Sequence, residues 1–135
     1  SQEWVDPDDF DSTVTESQFK AQVLRTARRI PSLPVPNNKL GVVDLYDVSD
    51  DWIPIYDRTD LDGFYVAIGT SGNQFKNAGV AGHCMAELIE AIDGGLDHDR
   101  EPLTVKGRYT GLEMDLGFYS RNRSINPDSS MSVNG

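Results

Sequence analysis

Hydrophobic and polar residues alternate along this chain with two periods, and the first of them predicts a helix. After Thr15, apolar residues recur every three to four positions until Pro31, and most basic residues fall between them. The segment begins with TESQ, which has the order of a capping box, in which a threonine side chain accepts a hydrogen bond from a backbone amide. We expect a helix that begins at Thr15 and ends before Pro31.

A second helical period runs from Phe75 to Ile92 and predicts a longer helix. Ser71 and Gln74 have the spacing of another capping box, so this helix is expected to begin near Gly72 or the residue after it. Two consecutive glycines end it. Its predicted apolar face is Phe75, Ala78, Gly82, Met85, Ile89 and Ile92.

Short apolar runs predict strands. Residues 64–68 are apolar on both faces, which is typical of a strand buried within a sheet. Further strands are predicted over residues 41–48, 53–56 and 102–105, the second of them at an edge because it contains a proline. Together the elements predict an α+β fold with two main helices packed on a few strands.

The order of these segments divides the chain into three parts. Residues 1–14 are an acidic lead-in, residues 15–95 contain the predicted helices and most strands, and residues 96–135 are a C-terminal extension that ends in a polar tail. The tail, SRNRSINPDSSMSVNG, has the composition of a loose segment or of an arm that crosses a neighbour.

Composition narrows the classes of function. The formal charge of −10 and the pI near 4.4 argue against nucleic-acid binding, which needs a basic face. Cys84 is the only cysteine and falls among apolar residues, so we expect a packed thiol. No signal peptide or membrane-length apolar run is recognisable, and a cytoplasmic location is the expected default.

A glycine turn joins the predicted strand 64–68 to the second helix. Gly69 and Gly72 allow a close approach, and a helix N-terminus offers unpaired N–H groups with a partial positive charge. An electron-rich group could therefore bind there through the backbone. The alternative is that the two glycines make only a sharp connection between strand and helix.

Several phrases around this turn resemble one protein family. They are DWIPIY at residues 51–56, DGFYVAIGTSGNQFK at 62–76, AGVAG at 78–82 and AELI at 86–89. Their order and spacing resemble the C-terminal part of the FAD-dependent amine and amino-acid oxidoreductases, the family of sarcosine, glycine and D-amino-acid oxidases. The resemblance covers roughly residues 15–91 and implies that this segment contacts the flavin ring and the substrate.

The resemblance also implies roles for single residues. Lys76 matches the lysine that pairs with the substrate carboxylate, and Tyr46 matches a tyrosine near the substrate, able to donate a hydrogen bond to a carboxylate. A surface lysine and a packed tyrosine are the alternatives. The turn would lie along the isoalloxazine edge, where backbone N–H groups stabilise negative charge near N1 and the C2 carbonyl. The implied flavin contacts are Gly69, Thr70, Ser71, Gly72, Asn73, Gln74 and Phe75.

The chain departs from the family pattern in three places. Asp44 stands where sarcosine oxidases have the cysteine that bonds the flavin, so a non-covalent FAD is expected. Asn73 and Gln74 replace a histidine and a glycine of the usual phrase, which leaves the substrate open. The G-x-G-x-x-G sequence that receives the FAD pyrophosphate is absent, so the ADP half of the site is missing.

These departures lead us to expect the C-terminal piece of a longer or split oxidoreductase. Its partner would be the missing dinucleotide-binding segment, and in isolation Phe64, Val66 and Ile68 would be exposed and promote association with that segment or another copy. Two alternatives stay open: a non-catalytic subunit or binding module that reuses the fold, and a generic acidic α+β domain.

Overall fold

The structure, a computed structural model, describes residues 4–72 and 74–129. Within these ranges the chain forms two α-helices and two small antiparallel sheets of two strands each, so the predicted α+β class is confirmed. The chain divides into two compact units between Leu45 and Tyr46. The elements are α1 (Glu16–Arg29), β1 (Ile55–Arg58), β2 (Tyr65–Ile68), α2 (Ala78–Asp93), β3 (Thr104–Lys106) and β4 (Glu113–Asp115), with single 3-10 turns at Phe75–Asn77 and Leu116–Tyr119.

The first unit contains α1, which confirms the first predicted helix. Thr15 is its N-cap, and the side-chain oxygen of Thr15 accepts a hydrogen bond from the amide of Gln18 at 3.3 Å. Ile30 ends the helix with its amide bonded to the carbonyl of Thr26. Glu16 in the first turn and the two arginines of the last turn complement the helix dipole.

The second unit has a small apolar core beneath α2. Cys84 and Leu88, one turn apart on the helix, pack with Val105 of β3 and with Leu116. The partly buried residues against this core are Met85, Ile92, Leu103, Met114 and Tyr119. Cys84 is therefore a packed thiol, as the sequence predicted, and burial raises its pKa.

The predicted buried strand is instead part of an exposed hairpin. β2 pairs with β1 alone, Ile55 opposite Ile68 and Arg58 opposite Tyr65. Phe64 is 54% exposed and Ile68 is 48% exposed. The prediction of burial was wrong because no layer of the described residues covers this face, whereas the expected exposure of Phe64 and Ile68 is found.

Of the other three predicted strands, one is not formed and two have different bounds. Residues 41–48 form no strand, because a ladder needs a partner strand and residues 46–49 instead loop towards the glycine turn. The runs predicted at 53–56 and 102–105 do form strands: the first is shifted by two residues to Ile55–Arg58, and the second begins two residues later and ends one residue later, at Thr104–Lys106. Such shifts are ordinary, because pairing and not composition sets strand ends.

The second predicted helix exists but begins later than expected. A 3-10 turn, Phe75–Asn77, precedes α2, and the N-cap residue Asn77 makes no side-chain capping bond. Ser71 has a φ of +51° and its hydroxyl donates to the carbonyl of Gly69 at 3.2 Å, so the predicted capping box was wrong. The buried face also differs: it centres on Cys84 and Leu88, as described above, while Phe75 is 97% exposed.

Residues 120–123, the first part of the predicted polar tail, are fixed against the rest of the unit. Ser120 is buried and Arg123 nearly so, and both bind residues of the hairpin and of the loop before it. A loose segment is therefore the wrong interpretation of residues 120–123. Residues 130–135 lie outside the described part of the chain.

Candidate functional site

The turn between β2 and the 3-10 segment is built from left-handed backbone. Gly69 has a φ of +69° and Gly72 a φ of +74°, with Ser71 also in this region between them. Such a conformation favours glycine, which explains the G-x-x-G spacing. Asn73 lies outside the described residues.

The amides of this turn bind a carboxylate from the same chain. Asp47 Oδ2 accepts hydrogen bonds from the amide of Gly69 and, at 3.1 Å, from the amide of Thr70. The hydroxyl of Thr70 donates to Asp47 Oδ1 at 2.6 Å, and the amide of Ser71 donates to the carbonyl of Asp47 at 2.8 Å. The turn is thus an anion-binding nest with an internal occupant.

Electrostatics agree with an ionised Asp47. Partial burial would raise the pKa of this carboxyl, but the hydrogen bonds from Thr70 and from the amide of Gly69 outweigh it and lower the pKa. A carboxylate that accepts several backbone N–H bonds is favoured in its charged form. The turn therefore stabilises negative charge through fixed dipoles, and the charge it holds is that of Asp47.

Of the seven residues expected to line the flavin, three already use their backbone amides to bind Asp47. The amides of Gly69, Thr70 and Ser71 donate to Asp47, so an outside group would reach them only if Asp47 withdrew. Gln74 and Phe75 lie on the opposite side of Gly72 along the chain. Phe75 is nearly fully exposed, and its ring is available to a flat partner.

Gln74 shows what replaces the glycine of the family phrase. Its Oε1 accepts a hydrogen bond from Asn77 Nδ2 at 2.7 Å and another from the hydroxyl of Tyr56 at 3.4 Å. The ring of Tyr56 stacks on Tyr119, with 5.1 Å between centroids. Burial first, and the neighbouring Tyr119 and Cys84 second, raise the pKa of Tyr56. Gln74 therefore ties the turn to the core of the unit.

The two residues expected to meet substrate are both accessible. Lys76 lies in the exposed 3-10 segment directly after Phe75. Tyr46 is partly exposed and precedes Asp47, so Asp47 brings Tyr46 to the glycine turn. Asp44 lies in the first unit, and its carboxylate accepts the amide of Leu45 at 2.8 Å.

Sequence reasoning missed the loop that supports this turn. Asp51 is buried, and Arg123 donates to both of its oxygens, Nη2 to Oδ1 at 2.6 Å and Nε to Oδ2 at 3.0 Å. Those charge-assisted bonds come first among the causes that lower the pKa of Asp51 to about 2. Ser49 donates to the carbonyl of Ile53 at 2.6 Å and closes the loop. No spacing in the sequence links Arg123 to residues 72 positions away.

A second buried network, also missed, joins β1 to the C-terminal segment. Asp57 Oδ2 accepts hydrogen bonds from Ser120 Oγ at 3.0 Å and from the amide of Arg121 at 2.8 Å. Arg121 also pairs with Asp99 at 2.7 Å, and this pair lowers the pKa of Asp99 to about 2. His98 Nε2 lies 3.9 Å from Asp57 Oδ1.

This network contains the residue types of a hydrolase triad but not its geometry. Ser120 donates to Asp57 rather than to His98, and all three side chains are buried. His98 Nδ1 accepts the amide of Leu103 at 3.0 Å, and the Nε2 atom, 3.9 Å from Asp57 Oδ1, has no hydrogen-bond partner among the described residues. The cluster therefore fastens the fold.

Comparison of the chain with protein-family models, with curated proteins and with solved structures finds no match. Among residues 4–72 and 74–129, no helix is long and apolar enough to cross a membrane. The same residues contain no group of three or more His, Cys, Asp or Glu side chains that could hold a metal ion.

Proposed function

We propose that this chain is the C-terminal part of an FAD-dependent oxidoreductase that oxidises an amine or amino acid in the cytoplasm. It supplies contacts to the flavin ring and to the substrate carboxylate, and a dinucleotide-binding segment on the same or another polypeptide supplies the ADP half of the site. The observation that carries the proposal is that Asp47, the neighbour of Tyr46 in the chain, binds the glycine turn. This contact joins two regions that the resemblance names separately, Tyr46 and the turn.

The donor set of the turn suits an electron-rich group. Its backbone N–H groups already hold a carboxylate, and the same chemistry serves the flavin edge that gains negative charge on reduction. FAD, when bound, supplies the redox chemistry by accepting a hydride from the substrate. The chain's own residues orient the two reactants, and Phe75 offers an exposed aromatic face beside them.

Lys76 is the residue we assign to the substrate carboxylate. Its ammonium group is exposed and follows the turn directly, so it can bind a carboxylate without burying an unpaired charge. Tyr46 donates a second hydrogen bond to the same group. Together they would fix the reacting carbon against the flavin, which is where alignment raises the rate.

Lys76→Ala, in a polypeptide that includes the dinucleotide-binding segment, tests the assignment. Loss of a charged hydrogen bond should raise KM for amino acids by roughly 10-fold to 100-fold while FAD stays bound. Lys106→Ala, another exposed lysine in the same unit, is the matched control. Equal kinetics for the two variants would remove Lys76 from the site.

A second candidate function is a non-catalytic binding module. The observation that favours it is Asp47, whose carboxylate takes the turn amides that a flavin would use. The visible absorption spectrum separates the two functions. A bound flavin that bleaches anaerobically with amino acids or secondary amines supports the oxidoreductase. Protein that cannot be reconstituted with FAD, or that binds it without turnover on any amine, supports the module.

A further inference from the structure

We propose that Arg123 is a positioning residue for the glycine turn, acting through Asp51 and the loop of residues 49–53. The effect of Arg123 on a bound flavin rests on the proposed function, whereas the structural coupling between Arg123 and the turn does not. Arg123 lies in the C-terminal extension, outside the region of family resemblance.

The first step of the coupling is a buried ion pair. The side chain of Arg123 is 8% exposed and that of Asp51 is 1% exposed. Arg123 also donates to the carbonyl of Ile53 at 2.8 Å, so one guanidinium group bonds both the start and the end of the turn at Asp51–Ile53. A planar fork with several donors can hold two groups in a fixed geometry, which an ammonium cannot.

The second step joins the ion pair to Ser49. Asp51 Oδ1 accepts the amide of Ile53 at 3.2 Å and the hydroxyl of Ser49 at 3.3 Å. Between them Trp52 has a φ of +62°, a strained conformation for a residue with a large side chain. Such a backbone persists only when its surroundings fix it, and here those surroundings are Arg123, Asp51 and Ser49.

The third step joins Ser49 to the glycine turn. A Cβ at Gly69 would lie 3.1 Å from Ser49 Cβ, so the two backbones are in close contact. Two residues before Ser49, Asp47 occupies the amides of Gly69, Thr70 and Ser71. A shift of the 49–53 loop would therefore withdraw Asp47 and open the turn.

Amide hydrogen exchange of the 135-residue chain tests the coupling. Arg123→Gln should raise the exchange rates of Gly69, Thr70 and Ser71 by about tenfold or more, because their acceptor loses its support. Arg121→Gln is the matched control, since it removes another ion-paired arginine of the same segment, partly buried, without touching the loop. Equal opening of the turn in both variants, or no opening in either, overturns the proposal.

Two further variants cover the case in which Arg123→Gln does not fold. Arg123→Lys keeps the charge but loses the fork, and it should open the turn to a smaller extent. Asp51→Asn by itself should open the turn. Adding Arg123→Lys to Asp51→Asn should open the turn no further, because the two residues act through the same ion pair. Additive effects on the exchange of Gly69 would contradict the coupling.

The flavin consequence has its own readout. In the polypeptide with the dinucleotide-binding segment, Arg123→Lys should shift the flavin absorption maxima, because opening the turn frees its amides from Asp47, while Arg121→Lys should leave the spectrum unchanged. Wild-type protein that binds no FAD would remove the proposed function and leave the exchange result standing. A normal spectrum for Arg123→Lys together with an opened turn would confine the role of Arg123 to the fold.

Discussion

Asp47 and Asp51 are four residues apart, and each carboxylate has a different task. Asp47 accepts hydrogen bonds from backbone amides of the glycine turn, and Asp51 pairs with the guanidinium group of Arg123. Both ionised forms are favoured in the folded state, so the pKa of each carboxyl is lowered. At the scale of single residues, acidic side chains that the composition assigns to solubility therefore hold the candidate site together.

The acid stability of the chain should depend on Asp51. Its pKa falls from an ordinary value of 3.8 to about 2 on folding, so it stabilises the fold above pH 3.8 and this contribution is lost as the pH falls towards 2. The linkage is worth about 2 kcal/mol. Asp51→Asn should be less stable at pH 7 and lose less stability between pH 5 and 2, measured by urea unfolding. Parallel pH profiles for the two proteins would contradict this.

Gly69 and Gly63 form a matched pair for testing the close approach of the turn to its loop. Both have positive φ, +69° and +72°, but a Cβ at Gly63 has no neighbour within 4 Å, whereas one at Gly69 meets Ser49. Gly63→Ala should cost about 1 kcal/mol from backbone strain alone. Gly69→Ala should cost more and should also speed amide exchange at Thr70. If urea unfolding shows equal losses of stability for Gly63→Ala and Gly69→Ala, the close approach of Gly69 to Ser49 does not affect stability.

At the scale of elements, residues 120–123 fix the β1–β2 hairpin and the loop before it. Ser120 and Arg121 bind Asp57 in the middle of β1, while Arg123 binds the loop that leads into this strand. A two-stranded hairpin is marginally stable by itself. The buried network supplies fixed partners in place of further strands.

Removal of the Asp57 carboxylate should strongly lower the free energy of unfolding. Asp57→Ala leaves Ser120 and Arg121 without their buried acceptor, and we expect a loss of about 3 to 5 kcal/mol in the free energy of unfolding. Asp60→Ala is the control, because Asp60 pairs with the same arginine but its side chain is 95% exposed, and it should cost less than about 1 kcal/mol. Similar losses in the two variants would rule out a special role for the buried network.

The helices were predictable at this scale, and the strands less so. The position of α1 follows from local signals, a cap at Thr15 and a proline after Ile30, and these signals need no distant partner. The start of α2 did not follow, because the left-handed backbone at Ser71 turns its hydroxyl away from the helix. Strand bounds were missed by one or two residues because pairing with another strand sets them.

At the scale of the whole molecule, the second unit exposes more apolar side chain than its small core accounts for. Phe64, Ile68 and Phe75 are all about half exposed or more, and the core beneath α2 contains few fully buried residues. Contiguous exposed apolar surface marks interaction sites. Under the proposed function, a dinucleotide-binding segment would be the occupant of this surface.

The isolated 135-residue chain should therefore self-associate. Sedimentation velocity at increasing concentration should show a weight-average mass above that of the monomer, and Phe75→Ser should lower it because this ring is the most exposed apolar side chain of the unit. Tyr109→Ser removes a similarly exposed ring far along the chain and serves as the control. A monomer at every concentration would argue against an uncovered docking surface.

The sequence by itself determined the α+β class, the position of α1, the existence of α2, the packed Cys84 and the special backbone of the G-x-x-G turn. These depend on periodicity, caps and glycine, which act over a few residues. Only the tertiary structure decided which charges pair, because Asp47, Asp51 and Asp57 find partners 22, 72 and 63 residues away. Pairing over such separations depends on how the elements pack, and no local pattern of residues encodes it.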